Sequence, residues 1–99
     1  MTKAALFVRL EAKTGKEDEV EELLKEGLQM VEDEPGTNSW YAIRLGFSTF
    51  AIFDTFPNDA GRQAHLTGEI AKKLAAKTSQ LFLHPPTIEK ADVLAVKNS

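Results

Sequence analysis

The chain has 99 residues, 42% of them hydrophobic and 27% charged, with no cysteine and a formal net charge of −3, which describes one globular domain over 1–99 with a small core and little room for a deep enclosed site. The absence of cysteine removes disulfides, thiolate nucleophiles, thiolate zinc sites and iron–sulfur ligation together. The acidic balance argues against a nucleic-acid partner, which calls for a basic stripe.

The first apolar run, Ala4 to Val8, is ended by Arg9 and falls far short of the ~20 residues of a membrane span. It also lacks the length and cleavage pattern of a signal peptide, so the expectation is a cytoplasmic protein without a membrane partner. Lys3 to Lys13 reads as a strand, with Leu6, Val8, Leu10 and Ala12 alternating with Ala5, Phe7, Arg9 and Glu11. Thr14 and Glu17 have the spacing of a Thr-x-x-Glu capping box. The helix they introduce carries Val20, Leu23, Leu24, Gly27, Leu28 and Val31 on one face and stops at Glu34-Pro35-Gly36. Nine acidic residues lie between Glu17 and Glu34 against only Lys25, whereas Lys72, Lys73 and Lys77 cluster later, and the two runs read as solvated helix faces of opposite sign.

Asn38 to Leu45 and Thr49 to Phe56 are rich in aromatic and β-branched residues and joined at Gly46-Phe47-Ser48, the pattern of a hairpin. Asn58 or Asp59 then caps a second helical region that runs to about Ser79, with a break near Thr67-Gly68. His84-Pro85-Pro86 leads into a last strand, Thr87 to Val96. The order βαββαβ predicts an α+β, ferredoxin-like sandwich: a four-stranded antiparallel sheet with its helices on one face. Strand one is apolar on both faces, and strand three has Phe50, Ile52 and Phe56 on one side and Ala51 and Phe53 on the other. Two helices cover only one face, so a second copy is expected to cover the other, sheet on sheet, in a homodimer.

No GxGxxG, GxxxxGK[ST] or GxSxG motif occurs, so nucleotide-binding and serine-hydrolase readings lack support. His65 and His84 lack the spacing of a metal pair, and no metal site is expected. What remains is charge among aromatics within strands: Arg9 near Phe7, Arg44 on the face of Trp40, and Asp54 on the face of Phe50 and Ile52. Such charges are costly unless paired or solvated. They read either as an Arg–Asp bridge at a strand end or dimer seam, or as part of a ring-lined cavity with one cation to hold a substrate oxygen. His65, beside Leu66 at the edge of the buried stripe, reads either as a hydrogen-bonding surface residue or as a proton carrier facing a cavity.

The run Phe53-Asp54-Thr55-Phe56-Pro57-Asn58-Asp59-Ala60-Gly61-Arg62-Gln63-Ala64-His65-Leu66-Thr67-Gly68 resembles the strand-to-helix signature of antibiotic biosynthesis monooxygenase (ABM) domains, and of their quinol-monooxygenase-like branch in particular. The tail Pro85 to Ala95 is similar to the closing strand of that group, and the resemblance covers essentially the whole chain. It implies a dimeric α+β barrel. Its Ala-His-Leu positions place the family histidine at His65, although Glu69 and Ile70 stand where many relatives carry a second histidine. Strand one has no asparagine for the Asn–Trp–His set of the haem-degrading branch. The implied activity is cofactor-independent monooxygenation of a small electron-rich aromatic, such as a hydroquinone or anthrone, by molecular oxygen. His65 is then the base or proton carrier, Arg9 or Arg44 steadies the oxyanion, Trp40, Phe7, Phe50 and Phe53 form the walls, and Arg62 stands at the pocket mouth. The alternative is a non-enzymatic homodimer that binds a small hydrophobic ligand or serves a stress-related role.

Overall fold

Alternation in the first strand decides which side of the sheet is inside. The computed structural model describes residues 2–98, and in it β1 (Ala4–Glu11) turns Leu6, Val8 and Leu10 into the core and Phe7 and Arg9 away from it. The chain continues through α1 (Glu17–Glu32), β2 (Ser39–Arg44), β3 (Thr49–Phe56), α2 (Asp59–Leu66), α3 (Glu69–Leu81) and β4 (Thr87–Asp92). The four strands lie in the order β2-β3-β1-β4, every pair antiparallel. This is the α+β ferredoxin-like arrangement, with the second helical region divided at Thr67-Gly68.

Register carries the pattern across the sheet. Leu6 pairs with Asp54, Val8 with Ile52 and Leu10 with Phe50, while Trp40 stands opposite Asp54 on the other side of β3. These residues share the helix-covered face. Val20, Leu23, Leu24 and Val31 of α1 and Ile70, Leu74 and Leu81 of α3 pack onto it with Phe50 and Phe82. Leu28 falls at the margin of the α1 stripe and is 47% exposed.

Two boundaries differ from expectation, at the start of α1 and the end of β4, and at α2 the cap falls to the first of the two residues expected. Thr14 does not cap α1: Gly15 turns the chain at φ 88° and Lys16 occupies the cap position without a side-chain bond. The Glu17 carboxylate instead accepts the Gly15 N–H at 3.0 Å, so the acidic residue satisfies a free donor without its threonine partner. Asn58 is the cap of α2, its Oδ1 accepting the Gly61 N–H at 2.9 Å. β4 ends at Asp92 rather than Val96, because its neighbour β1 begins at Ala4, the residue Asp92 pairs with.

The acidic and basic runs are not independent faces. Asp18, Glu22 and Glu26 of α1 look across a groove at Lys73 and Lys77 of α3. The opposite face of the sheet leaves Tyr41, Ile43 and Phe53 exposed, with Phe53 paired to both Phe7 and Tyr41. Among the described residues no helix is long and apolar enough to cross a membrane.

The loop after α1 is pressed against α2. A Cβ added to Gly61 would stand 2.5 Å from the Gly36 carbonyl oxygen, a contact that only backbone movement relieves. Gly61→Ala is expected to lower stability by about 1–3 kcal/mol in urea unfolding, and an unchanged midpoint would show that this loop is not held against α2.

Candidate functional site

Asp54 lies in the middle of a hydrophobic sheet face and is 0% exposed. A carboxylate in that position needs a partner, and His65 provides it from the last turn of α2, with Nε2 2.8 Å from Asp54 Oδ2. Apart from this contact neither Asp54 oxygen has a hydrogen-bond partner among the described residues. The other ring nitrogen, Nδ1, lies 2.6 Å from Glu34 Oε1. Glu34 is placed by the loop beyond α1, where Thr37 Oγ1 donates to its Oε1 at 2.8 Å. Gly68 makes room for it, since a Cβ there would meet Glu34 Oε2 at 2.9 Å. The imidazole is thus held edge to edge between two carboxylates and also packs against Phe56, with ring centroids 5.3 Å apart.

Burial by itself would push the His65 pKa down. Hydrogen bonding and charge from Asp54 and Glu34 more than offset that, and His65 titrates above its ordinary value. The buried end of the cluster is Asp54, and the outer end is Glu34, whose side chain is 20% exposed.

His65 and Asp54 open onto a cavity of about 500 Å³ between the sheet and the helices α2 and α3, within the size range of small-molecule sites. Its walls are mainly aliphatic, with Leu6, Val8, Ile52, Ile70, Leu74 and Ile88 among them. No Phe, Tyr or Trp lines it among the described residues.

Of the residues expected at the site, the structure brings only His65 to this cavity. Phe7 and Phe53 pair with each other on the opposite face of the sheet, and Arg9, one pair further along β1, shares that face. Phe50 faces the helices but is sealed in the core cluster at the far end of β3. Trp40 packs against the same cluster near Gly27 of α1, and its Nε1 is buried without a partner. Arg44 is occupied at the hairpin: it pairs with Glu21 at 3.0 Å, donates to the Gly46 and Phe47 carbonyls and lies over the Phe50 ring at 4.8 Å. Arg62 fastens α2 to the sheet, donating to the Ala5 and Ala91 carbonyls and to Asp59.

The expected Arg–Asp bridge is therefore replaced by a His–Asp contact. Asp54 carried a signal in the sequence, a carboxylate flanked by apolar residues on a buried face. Glu34 carried none, because its place in Glu34-Pro35-Gly36 reads as a helix stop. No group of three His, Asp or Glu side chains among the described residues is arranged to hold a metal ion.

The raised pKa links the cluster to stability. A protonated imidazole favoured by the fold contributes stability that is fully present below its unfolded value, ~6.5, and is lost as pH rises through the higher folded value. Urea unfolding should therefore show wild-type stability falling between pH 6 and pH 9, with the fall removed in His65→Gln. A wild-type stability that rises over this interval would contradict the arrangement.

No protein-family profile and no curated protein matches the sequence. Among solved structures, a protein of unknown function from Nitrosomonas europaea is 49% identical, with the match covering 100% of this chain and 96% of that one at a TM-score of 0.97. A Caulobacter crescentus protein carrying the antibiotic biosynthesis monooxygenase name is 16% identical over 95% of this chain and 92% of its own, with a TM-score of 0.81. A second Nitrosomonas europaea protein of the same name is 14% identical over 93% and 90%, with a TM-score of 0.82. The chain belongs to one family with the first Nitrosomonas europaea protein, and its fold is that of the antibiotic biosynthesis monooxygenases.

Proposed function

We propose that the protein is a cofactor-independent monooxygenase that oxidises a small electron-rich aromatic, such as a hydroquinone or anthrone, with molecular oxygen, in the manner of the quinol-monooxygenase-like branch. The observation that carries this reading is the imidazole held between two carboxylates at the wall of an aliphatic cavity. An electron-rich phenol or enol, once deprotonated, supplies electrons to oxygen itself, and the protein has to remove a proton and exclude water. For an anthrone, the methylene carbon loses two hydrogens and gains one oxygen atom as a carbonyl, and the other oxygen atom leaves as water, so that one O2 takes all four electrons from the substrate. His65 carries the proton from the cavity side toward Glu34, which reaches solvent. Protonated His65 is also the only positive side chain at the cavity wall among the described residues, a role that neither Arg9 nor Arg44 is positioned to take.

The reading includes a cytoplasmic homodimer. The exposed face of Tyr41, Ile43 and Phe53 suits a second copy packed sheet on sheet. Arg9 and Glu89 lie on the same face and would meet with opposite charge across a two-fold axis. A solution mass by light scattering should be twice that of the chain, and a monomer at micromolar concentration would contradict this part of the reading.

A second reading, a non-enzymatic homodimer that binds a small hydrophobic ligand or serves a stress-related role, is favoured by one observation: both nitrogens of His65 already lie against carboxylates. Oxygen uptake separates the two. Chelator-treated protein with a panel of hydroquinones and anthrones should consume oxygen above the uncatalysed rate, and His65→Asn should lower that rate by about 10²–10⁴-fold. Because removing one partner of a buried ionic cluster is strongly destabilising, Glu34→Gln is the companion variant, and it too should slow turnover. No uptake on any substrate favours the second reading, and an unchanged rate in a folded His65→Asn removes His65 from the mechanism.

A further inference from the structure

Both nitrogens of His65 face carboxylates, so the imidazole has no free nitrogen with which to meet a ligand. Asp54 is different. It lines the cavity with Leu6, Ile52 and Leu66 at the buried end of the cluster, and beyond the His65 Nε2 contact to Oδ2 its oxygens have no donor among the described residues. A buried carboxylate can accept several hydrogen bonds, and leaving its capacity unused is costly. The other buried polar atom without a partner, Trp40 Nε1, is a donor on the neighbouring strand but makes no hydrogen bond to it.

The charge at the wall is equally one-sided. With its carboxylates ionised, the cluster of Glu34, His65 and Asp54 is negative overall even when the imidazole is protonated. No Lys or Arg lines the cavity among the described residues.

We infer that Asp54 is the residue a ligand meets, and that it selects a neutral aromatic bearing a hydroxyl that donates to its carboxylate, while ligands that arrive with a carboxylate or another anionic group are refused. The inference rests on the reading of the cavity as a small-aromatic site and deepens it. A carboxylated ligand brings a second negative charge against Asp54 in a low-dielectric wall, where like charges repel strongly. A neutral phenol does not. When its proton passes to Asp54, and from there to His65 Nε2 only as the ring gives up a proton through Nδ1 to Glu34, the total charge of site and ligand is unchanged, so an anion formed in place escapes the penalty that excludes an anion entering from water. The carboxylate is 0% exposed in the free chain, and contact requires the ligand to fill the inner end of the cavity, with the side-chain adjustments that commonly accompany binding.

The test is calorimetric titration of the full chain under nitrogen with three probes of similar size: 1-naphthol, 1-methoxynaphthalene and 1-naphthoate. In the wild type the naphthol should bind at least about tenfold more tightly than the methyl ether, as expected for a hydrogen bond to a charged group, and the naphthoate should be the weakest of the three. Asp54→Asn should narrow the gap between naphthol and ether and lessen the discrimination against naphthoate. The wild-type series decides the matter even if that variant fails to fold. Equal affinity for naphthol and its ether, tighter binding of the naphthoate, or no binding of any probe would overturn the assignment. Hydroxyl-selective binding without oxygen uptake on any substrate would sink the oxygenase reading and leave the role of Asp54 standing.

Discussion

The structure turns on one costly choice, a carboxylate placed at the centre of a hydrophobic sheet. Asp54 is fully buried, and a charge there is tolerated only with a close counter-charge and a second group to balance it. His65 supplies the first and Glu34 the second. Much of the local architecture is what this cluster requires. α2 is cut short so that its last turn presents His65, and Gly68 leaves space for Glu34. Gly36 and Gly61 bring the loop that carries Glu34 against α2. Arg62, expected at the pocket mouth, holds α2 to β1 and β4 so that this geometry persists.

The fold was legible in the sequence because its signals are local. Period-two alternation in β1 and β3, the helical stripe from Val20 to Val31, the Asn58 cap and the break at Gly68 each depend on neighbours a few residues away. The site was half legible for the opposite reason. His65 stood out by residue type and by its setting in the ABM-like run. Which aromatics would accompany it depended on strand register, and a shift of one residue moves a side chain to the other face. Phe7 and Phe53 fall on the outer face, and Phe50, though on the inner face, is used up in the core. The arginines failed as oxyanion partners for a related reason. Arg44 finds its hydrogen bonds in its own hairpin and at Glu21, while Arg9 stands across the sheet. Glu34 lies 31 residues from His65, and no local pattern marks such a contact.

Size shapes the remainder. In a chain of 99 residues the helices form one layer, and it covers one face of the four-stranded sheet. The covered face holds both the core and the cavity, which lies where α2 and α3 meet the sheet. The open face carries the apolar surface that a second copy would bury. In the proposed reading chemistry and assembly fall on opposite sides of the same strands, and β3 contributes to both faces through the alternation of Ile52 and Asp54 with Ala51 and Phe53.

The central claim is that His65 is a proton carrier held by carboxylates on both of its nitrogens, and nitrogen-15 NMR of its imidazole tests it most directly. In the wild type the titration midpoint followed at both ring nitrogens should lie above ~6.5, and Glu34→Gln should move that midpoint down. A midpoint at or below the ordinary value, with no response to Glu34→Gln, would contradict it.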